Sequence, residues 1–296
     1  MAGPLRVATR ASALARWQAE RVAAMLPAPA ELVVVSTSGD HRANTPIHAM
    51  GGTGVFVKEV QDAVLDGRAD LAVHSAKDLP ASTPVGLVLA AVPERDDPRD
   101  ALVGCALDAL PAGAIVGTGS VRRRAQLAAF RDDLGFRELR GNIATRLEKA
   151  SRFDAVVVAV AALRRLGLSS RIAEVLDVGV MLPQVGQGAL AVECRSGDDA
   201  TLDMLHAVDD VRAHAELDAE RAFLAELGGG CDLPCGALAT TADDGRLRIE
   251  ALLATGDGRV VLRDIVEHDD PRTVGVAVAH RLLDDHGGRA LLEDIA

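Results

Sequence analysis

The run FDAVVVAV (153–160) sets the first limit on what this chain can be. It is far short of the ~20 apolar residues that a membrane span needs. Charged residues flank it, and β-branched residues fill it. Such a run reads as a strand covered on both faces, as in a parallel sheet. AALRRLGL follows with helical spacing. The same step recurs along the chain: LRVATR leads into SALARWQAERVAAML, AIVGTGS into VRRRAQLAAF, and FRELRG into NIATRLEKAS. Strands alternating with helices predict an α/β fold with parallel sheets.

Ser12 is placed to cap the first helix, with Leu14, Trp17, Val22 and Met25 on its apolar face. RADLAVHSAKDLP reads as a strand ending in a polar turn, and GLVLAAVP as another strand. HRANTPIHAMGGTG (41–54) has no periodicity and reads as a surface loop. PERDDPRD (93–100) is charged and linker-like. QVGQGALAVECR returns to strand. Beyond about Ala207 the pattern changes to a long helix, three strands of antiparallel type and a closing helix. The 296 residues therefore divide into two α/β units and a C-terminal α+β unit. The cleft between the first two is the expected ligand site, with hinges near 93–100 and 183–186.

A net charge of −11 argues against nucleic acid as a partner. Only three of the 32 basic residues are lysines, Lys58, Lys77 and Lys149, so each lysine is a flag. The start, MAGPLRVATR, lacks an apolar h-region, and the four cysteines are expected to be reduced thiols in the cytoplasm. No metal site is expected, because Cys231 and Cys235 have CxxxC spacing and no histidine cluster lies near them in sequence.

Four segments carry candidate chemistry. In VGTGSVRRRAQL, Ser120 opens a helix whose first turn holds Arg122, Arg123 and Arg124. Cations there oppose the helix dipole unless an anion answers them; a solvated basic helix end is the plain alternative. In LRGNIATR, Arg140 and Arg146 fall at the same sheet edge, so four arginines can converge on a ligand bearing several carboxylates. Arg164 and Arg165 can join them or sit in surface salt bridges. In AVHSAKDLP, Ser75, Lys77 and Asp78 cluster at a strand end. Asp78 can act as an acid or base, stabilise a cation, or merely bond its own turn. His74 reads as a structural histidine. Finally, LGGGCDLPCG sets Cys231 behind three glycines, open to a bulky electrophile.

Together with GGTGVFVKEVQDAVL, ERDDPRDAL and LPQVGQGALAVECR, these motifs resemble the porphobilinogen deaminase (hydroxymethylbilane synthase) family over nearly the whole chain. The resemblance implies a cytoplasmic, monomeric transferase of tetrapyrrole and haem biosynthesis. It would join four porphobilinogen molecules into hydroxymethylbilane with loss of ammonia. A dipyrromethane cofactor would be held covalently by Cys231. By the same resemblance Asp78 is the catalytic carboxylate. Ser75, Lys77, Ser120, Arg122, Arg123 and Gln187 would contact the cofactor, and Arg10, Ser12, Arg140, Arg146 and Arg165 the substrate. Two periplasmic-binding-protein-like domains would exchange strands, with residues 1–92 and 185–206 forming domain 1, 93–184 domain 2 and 207–296 domain 3. Thr53, Gly119 and Cys235 depart from the family pattern. A non-enzymatic polycarboxylate-binding protein of the same fold is the rival reading.

Overall fold

The computed structural model describes residues 3–36, 57–228 and 233–293. Two five-stranded sheets share one plan. The first has the order β2-β1-β3-β10-β4, from Ala30–Val35, Leu5–Arg10, Leu71–Ser75, Leu190–Arg195 and Leu87–Ala91. The second has the order β7-β6-β8-β5-β9, from Gly135–Arg137, Ile115–Gly117, Ala155–Ala159, Asp100–Val103 and Ile172–Val175. In each, four strands point the same way and one strand beside the edge runs against both its neighbours: β10 in the first sheet and β5 in the second. Each reversed strand is the first the chain lays down after leaving the other sheet. These are two α/β units that exchange strands, as the sequence led us to expect.

The all-apolar run is β8, and every residue in it is buried. Ala155 and Val157 face one core with Leu102 and Leu127, while Val156 and Val158 face another with Val103 and Leu163. Helices on both faces explain why the strand lacks polar alternation. The polar caps also form as read. Ser12 Oγ accepts from the Ala15 amide at the start of α1 (Ala13–Ala23), and Ser120 Oγ from Arg123 at the start of Val121–Phe130.

Four local readings need correction. Trp17 is not on the buried face of α1, which presents Gln18, Ala19 and Val22; Trp17 is 37% exposed. Small residues let α1 lie close to its sheet, and the indole faces Arg165 of the second unit instead, 5.9 Å from its guanidinium carbon. PERDDPRD is no plain linker, because its last residue, Asp100, is wholly buried at the start of β5. β7 ends at Arg137, so Arg140 lies in the following turn. Strand β9 carried too weak a pattern in four residues to be read. The loop 41–54 lies outside the described residues.

The third unit is an antiparallel sheet, β11-β12-β13 (Cys235–Thr241, Leu247–Ala254, Val261–His268). The long helix Val211–Glu226 and the helix Pro271–His280 pack on it around Phe223, Ile249 and Val278. They approach closely at Gly275, where a Cβ would stand 2.2 Å from the Ala219 carbonyl oxygen.

One carboxylate joins this unit to both crossovers. Glu220 Oε1 accepts from Arg95 Nη1 at 2.7 Å and the Ala239 amide at 2.9 Å. Its Oε2 accepts from the Gly186 amide at 2.7 Å and Arg95 Nη2 at 3.2 Å. Arg95 also donates to the Gln187 carbonyl, so the 93–99 and 183–188 segments are held together. Both charges are almost fully desolvated, and removing one strands the other. Glu220→Ala is therefore expected to lower stability by about 3–5 kcal/mol, read as a reduced urea midpoint.

Candidate active site

The site is built around the end of β3. After Ser75 the chain makes one 3-10 turn, Ala76–Asp78, and this turn separates two recesses. Asp78, Ser75, Arg10, Ser12 and His74 line one of them. Lys77, Ser120, Arg122, Leu233 and Cys235 line the other. Gln18 Nε2 donates to Ser75 Oγ at 2.8 Å and so ties the turn to α1. His74 Nε2 lies 3.2 Å from buried Glu193 Oε2, which also accepts from Gln61 of the helix Lys58–Leu65.

Asp100 is the electrostatic centre behind the turn. Its Oδ2 accepts from Arg122 Nη2 at 2.8 Å, and its Oδ1 from Arg123 Nη2 at 2.7 Å and Gln187 Nε2 at 2.9 Å. Burial alone would raise its pKa, but the two guanidiniums hold it far below the usual carboxylate range. The anion demanded by the arginine-rich helix start is thus partly supplied by the protein. Arg122 also donates to the Leu182 carbonyl and Arg123 to the Val157 carbonyl, which locks both forks in place. Arg124 turns away and donates to the Gly256 carbonyl of the third unit.

Lys77 Nζ lies 3.4 Å from Gln187 Oε1. Burial, reinforced by Arg123 and Arg146, brings its pKa down to about 8, against the pull of Asp78 and Asp100. Burial likewise lowers Arg146 to about 10, with Arg123 and Arg140 acting the same way and Asp78 opposing them. Asp78, Lys77, Arg123, Arg140 and Arg146 therefore share one field, although they come from both α/β units. Arg140 is paired with Glu138, its Nε donating at 2.6 Å, and Arg146 Nε donates to the Gly141 carbonyl at 2.8 Å.

Arg165 stands apart and lines neither recess. It spans the two units, with Nη2 donating to the Gly188 carbonyl at 2.5 Å, Nε 3.5 Å from Asp96, and its plane near Trp17. Cys231 and Thr53 lie outside the described residues. Leu233 and Cys235, which follow Cys231 in the chain, wall the second recess, and Cys235 is buried as the first residue of β11. At Gly119 a Cβ would sit 3.2 Å from the Leu139 carbonyl oxygen, which leaves little room for a side chain there.

Two parts of this site escaped sequence reasoning. Asp100 was hidden in a charged stretch, and its only signal was an acid directly before the apolar ALV. Gln184, whose Nε2 donates to the Lys77 carbonyl at 3.2 Å, had none.

The family model "Porphobilinogen deaminase, dipyromethane cofactor binding domain" matches residues 5–203, and "Porphobilinogen deaminase, C-terminal domain" matches residues 214–284. The chain belongs to the porphobilinogen deaminase family. A curated porphobilinogen deaminase of Roseiflexus castenholzii is 47% identical over 304 residues, covering 99% of each chain. One of Brevibacillus brevis is 41% identical over 301 residues, covering 98% of this chain and 97% of the relative. The match to the cofactor-binding domain takes in Arg10, the Ser75–Asp78 turn, the Ser120–Arg123 helix start and Gln187.

The depressed Lys77 has a measurable consequence. Its folded pKa of about 8 lies below the ordinary lysine value of 10.5, so between these pH values the unfolded chain holds more protons. Stability of cofactor-free protein is expected to rise across that window as pH rises, and to fall back as pH drops through about 8. Lys77→Met should lack this component, which paired denaturant melts at pH 7.5 and 10 would reveal.

Proposed function

We propose that this chain catalyses the porphobilinogen deaminase reaction, head-to-tail joining of four porphobilinogen molecules to hydroxymethylbilane with release of four ammonia molecules and uptake of one water, which supplies the terminal hydroxyl. The observation that carries the reading is the single turn that puts Asp78 and Lys77 of the first α/β unit in one field with Arg123, Arg140 and Arg146 of the second. The family match and the near-complete alignment with curated relatives support it.

The residues fit a dipyrromethane group. Each of its pyrroles bears two carboxylates, and the second recess offers an ammonium, a guanidinium and a helix-capping hydroxyl, Lys77, Arg122 and Ser120. In this reading Cys231 is the attachment point, with Ser75, Arg123 and Gln187 completing the cofactor's surroundings. When bound, the dipyrromethane supplies the pyrrole carbon to which the first substrate unit is joined.

The protein's own work is electrostatic. Arg10, Arg140 and Arg146 hold the acetate and propionate groups of incoming substrate, where forked N–H pairs fix orientation as well as charge. Ser12 adds a hydroxyl beside Arg10. Loss of ammonia leaves positive charge on the substrate's pyrrole, and the Asp78 carboxylate stabilises it at the ring N–H. Arg165 acts on substrate through the interdomain contact with Asp96 and Trp17. Arg140 exchanges Glu138 for a substrate carboxylate.

We further propose a three-domain division at 1–92 with 185–206, 93–184, and 207–296. The enzyme would act as a monomer in the cytoplasm; among the described residues no helix is long and apolar enough to cross a membrane.

Intact mass tests the covalent claim. The purified protein should carry a two-pyrrole adduct that is absent from Cys231→Ser, whereas a reversible polycarboxylate binder would show the bare chain in both. Asp78→Asn should retain the adduct yet lose roughly 10²–10³-fold in kcat, the scale seen when one preorganised group facing developing charge is removed. Near-normal turnover would assign that role elsewhere.

A further inference from the structure

Arg221 has no role in the reading so far. It lies on the long helix Val211–Glu226 of the third unit, in the segment that leads to Cys231. One corner of its guanidinium is anchored, with Nη2 donating to Thr83 Oγ1 at 3.0 Å and the Ala81 carbonyl at 3.2 Å. The other corner is not. Nη1 is shut off from water and has no acceptor among the described residues. A buried donor without an acceptor is uncommon, and it costs most when the group is charged.

The position of this side chain gives the open donor a use. Arg221 helps to wall the same recess as Lys77, Ser120 and Arg122, together with Leu233 and Cys235 from beyond the cysteine loop. Burial lowers its pKa, and the anions that oppose this, Glu193 and Asp218, act through space, since neither hydrogen-bonds to it. A carboxylate entering the recess would meet a guanidinium already fixed at one end, with little rotamer freedom left to lose.

We infer that Arg221 is a further ligand for a pyrrole carboxylate of the group tethered at Cys231, held from the third unit while Lys77 and Arg122 hold it from the other two. The inference rests on the functional reading above. It gives the third unit a second task beyond presenting the thiol.

Four proteins test it: the parent, Arg221→Leu, Cys231→Ser and the double variant. Intact mass gives the fraction carrying the adduct, and thermal unfolding gives Tm. Loss of the Ala81 and Thr83 bonds lowers Tm equally with or without the adduct. Loss of a carboxylate contact lowers it only with the adduct, so the difference between the two backgrounds isolates the contact. We expect Arg221→Leu to reduce the adduct-bearing fraction and to lower Tm by roughly 2–4 °C more in the parent than in Cys231→Ser. Equal losses in both backgrounds with an unchanged adduct fraction would overturn the inference and leave the function standing. A parent without adduct would overturn both. Should Arg221→Leu not fold, Arg221→Gln, which keeps an N–H for Thr83 but no charge, goes through the same comparison.

Discussion

The structure turns on one buried acid. Asp100 gathers two guanidiniums and a carboxamide onto a single carboxylate at the first residue of β5. The interaction is local in space and distant in sequence, since it links the crossover strand, the helix Val121–Phe130 and the second crossover through Gln187. A buried pair of this kind contributes little net stability beside an apolar equivalent, but each partner is costly to leave alone. Its effect here is geometric. Arg122 and Arg123 cannot swing into solvent, so their remaining positive field points at the turn that carries Lys77 and Asp78.

That arrangement resolves the conflict between an acidic chain and an anionic ligand. The net charge is −11, yet Lys77 and Arg146 are both depressed by their own surroundings, burial first and like charge after it. Cations that destabilise one another in this way gain most from an arriving carboxylate. The pocket is thus prepared at a cost in folding that a bound carboxylate would offset. Glu220 plays the mechanical counterpart by holding both crossovers against the third unit.

Much of this was legible in the sequence, and the parts that were not share a cause. Strand–helix alternation and the caps Ser12 and Ser120 are local signals, and they formed as read. The sequence also led us to expect Arg122, Arg123, Arg140 and Arg146 on one sheet edge, where strand ends meet helix starts; Lys77 and Asp78 follow a strand of the other sheet, and that argument does not join them. What stayed hidden depends on partners far along the chain. Asp100 reads as a linker charge until Arg122 stands beside it. Trp17 reads as core until a second unit offers Arg165. Glu220 lies on a helix whose neighbours are set by the crossovers, and nothing in its own turn announces them.

The reversed strands also bear on how the chain comes to be folded. Until Leu190–Arg195 has left the ribosome, β4 has no neighbour to pair with, and β3 has β1 on one side only. The second sheet lacks no such late piece, because β5 precedes its other strands. Synthesis order and completion order therefore differ: the middle of the polypeptide can settle while the amino-terminal layer waits. Such long-range closure slows folding and leaves the strand edges of the nascent amino-terminal half open meanwhile.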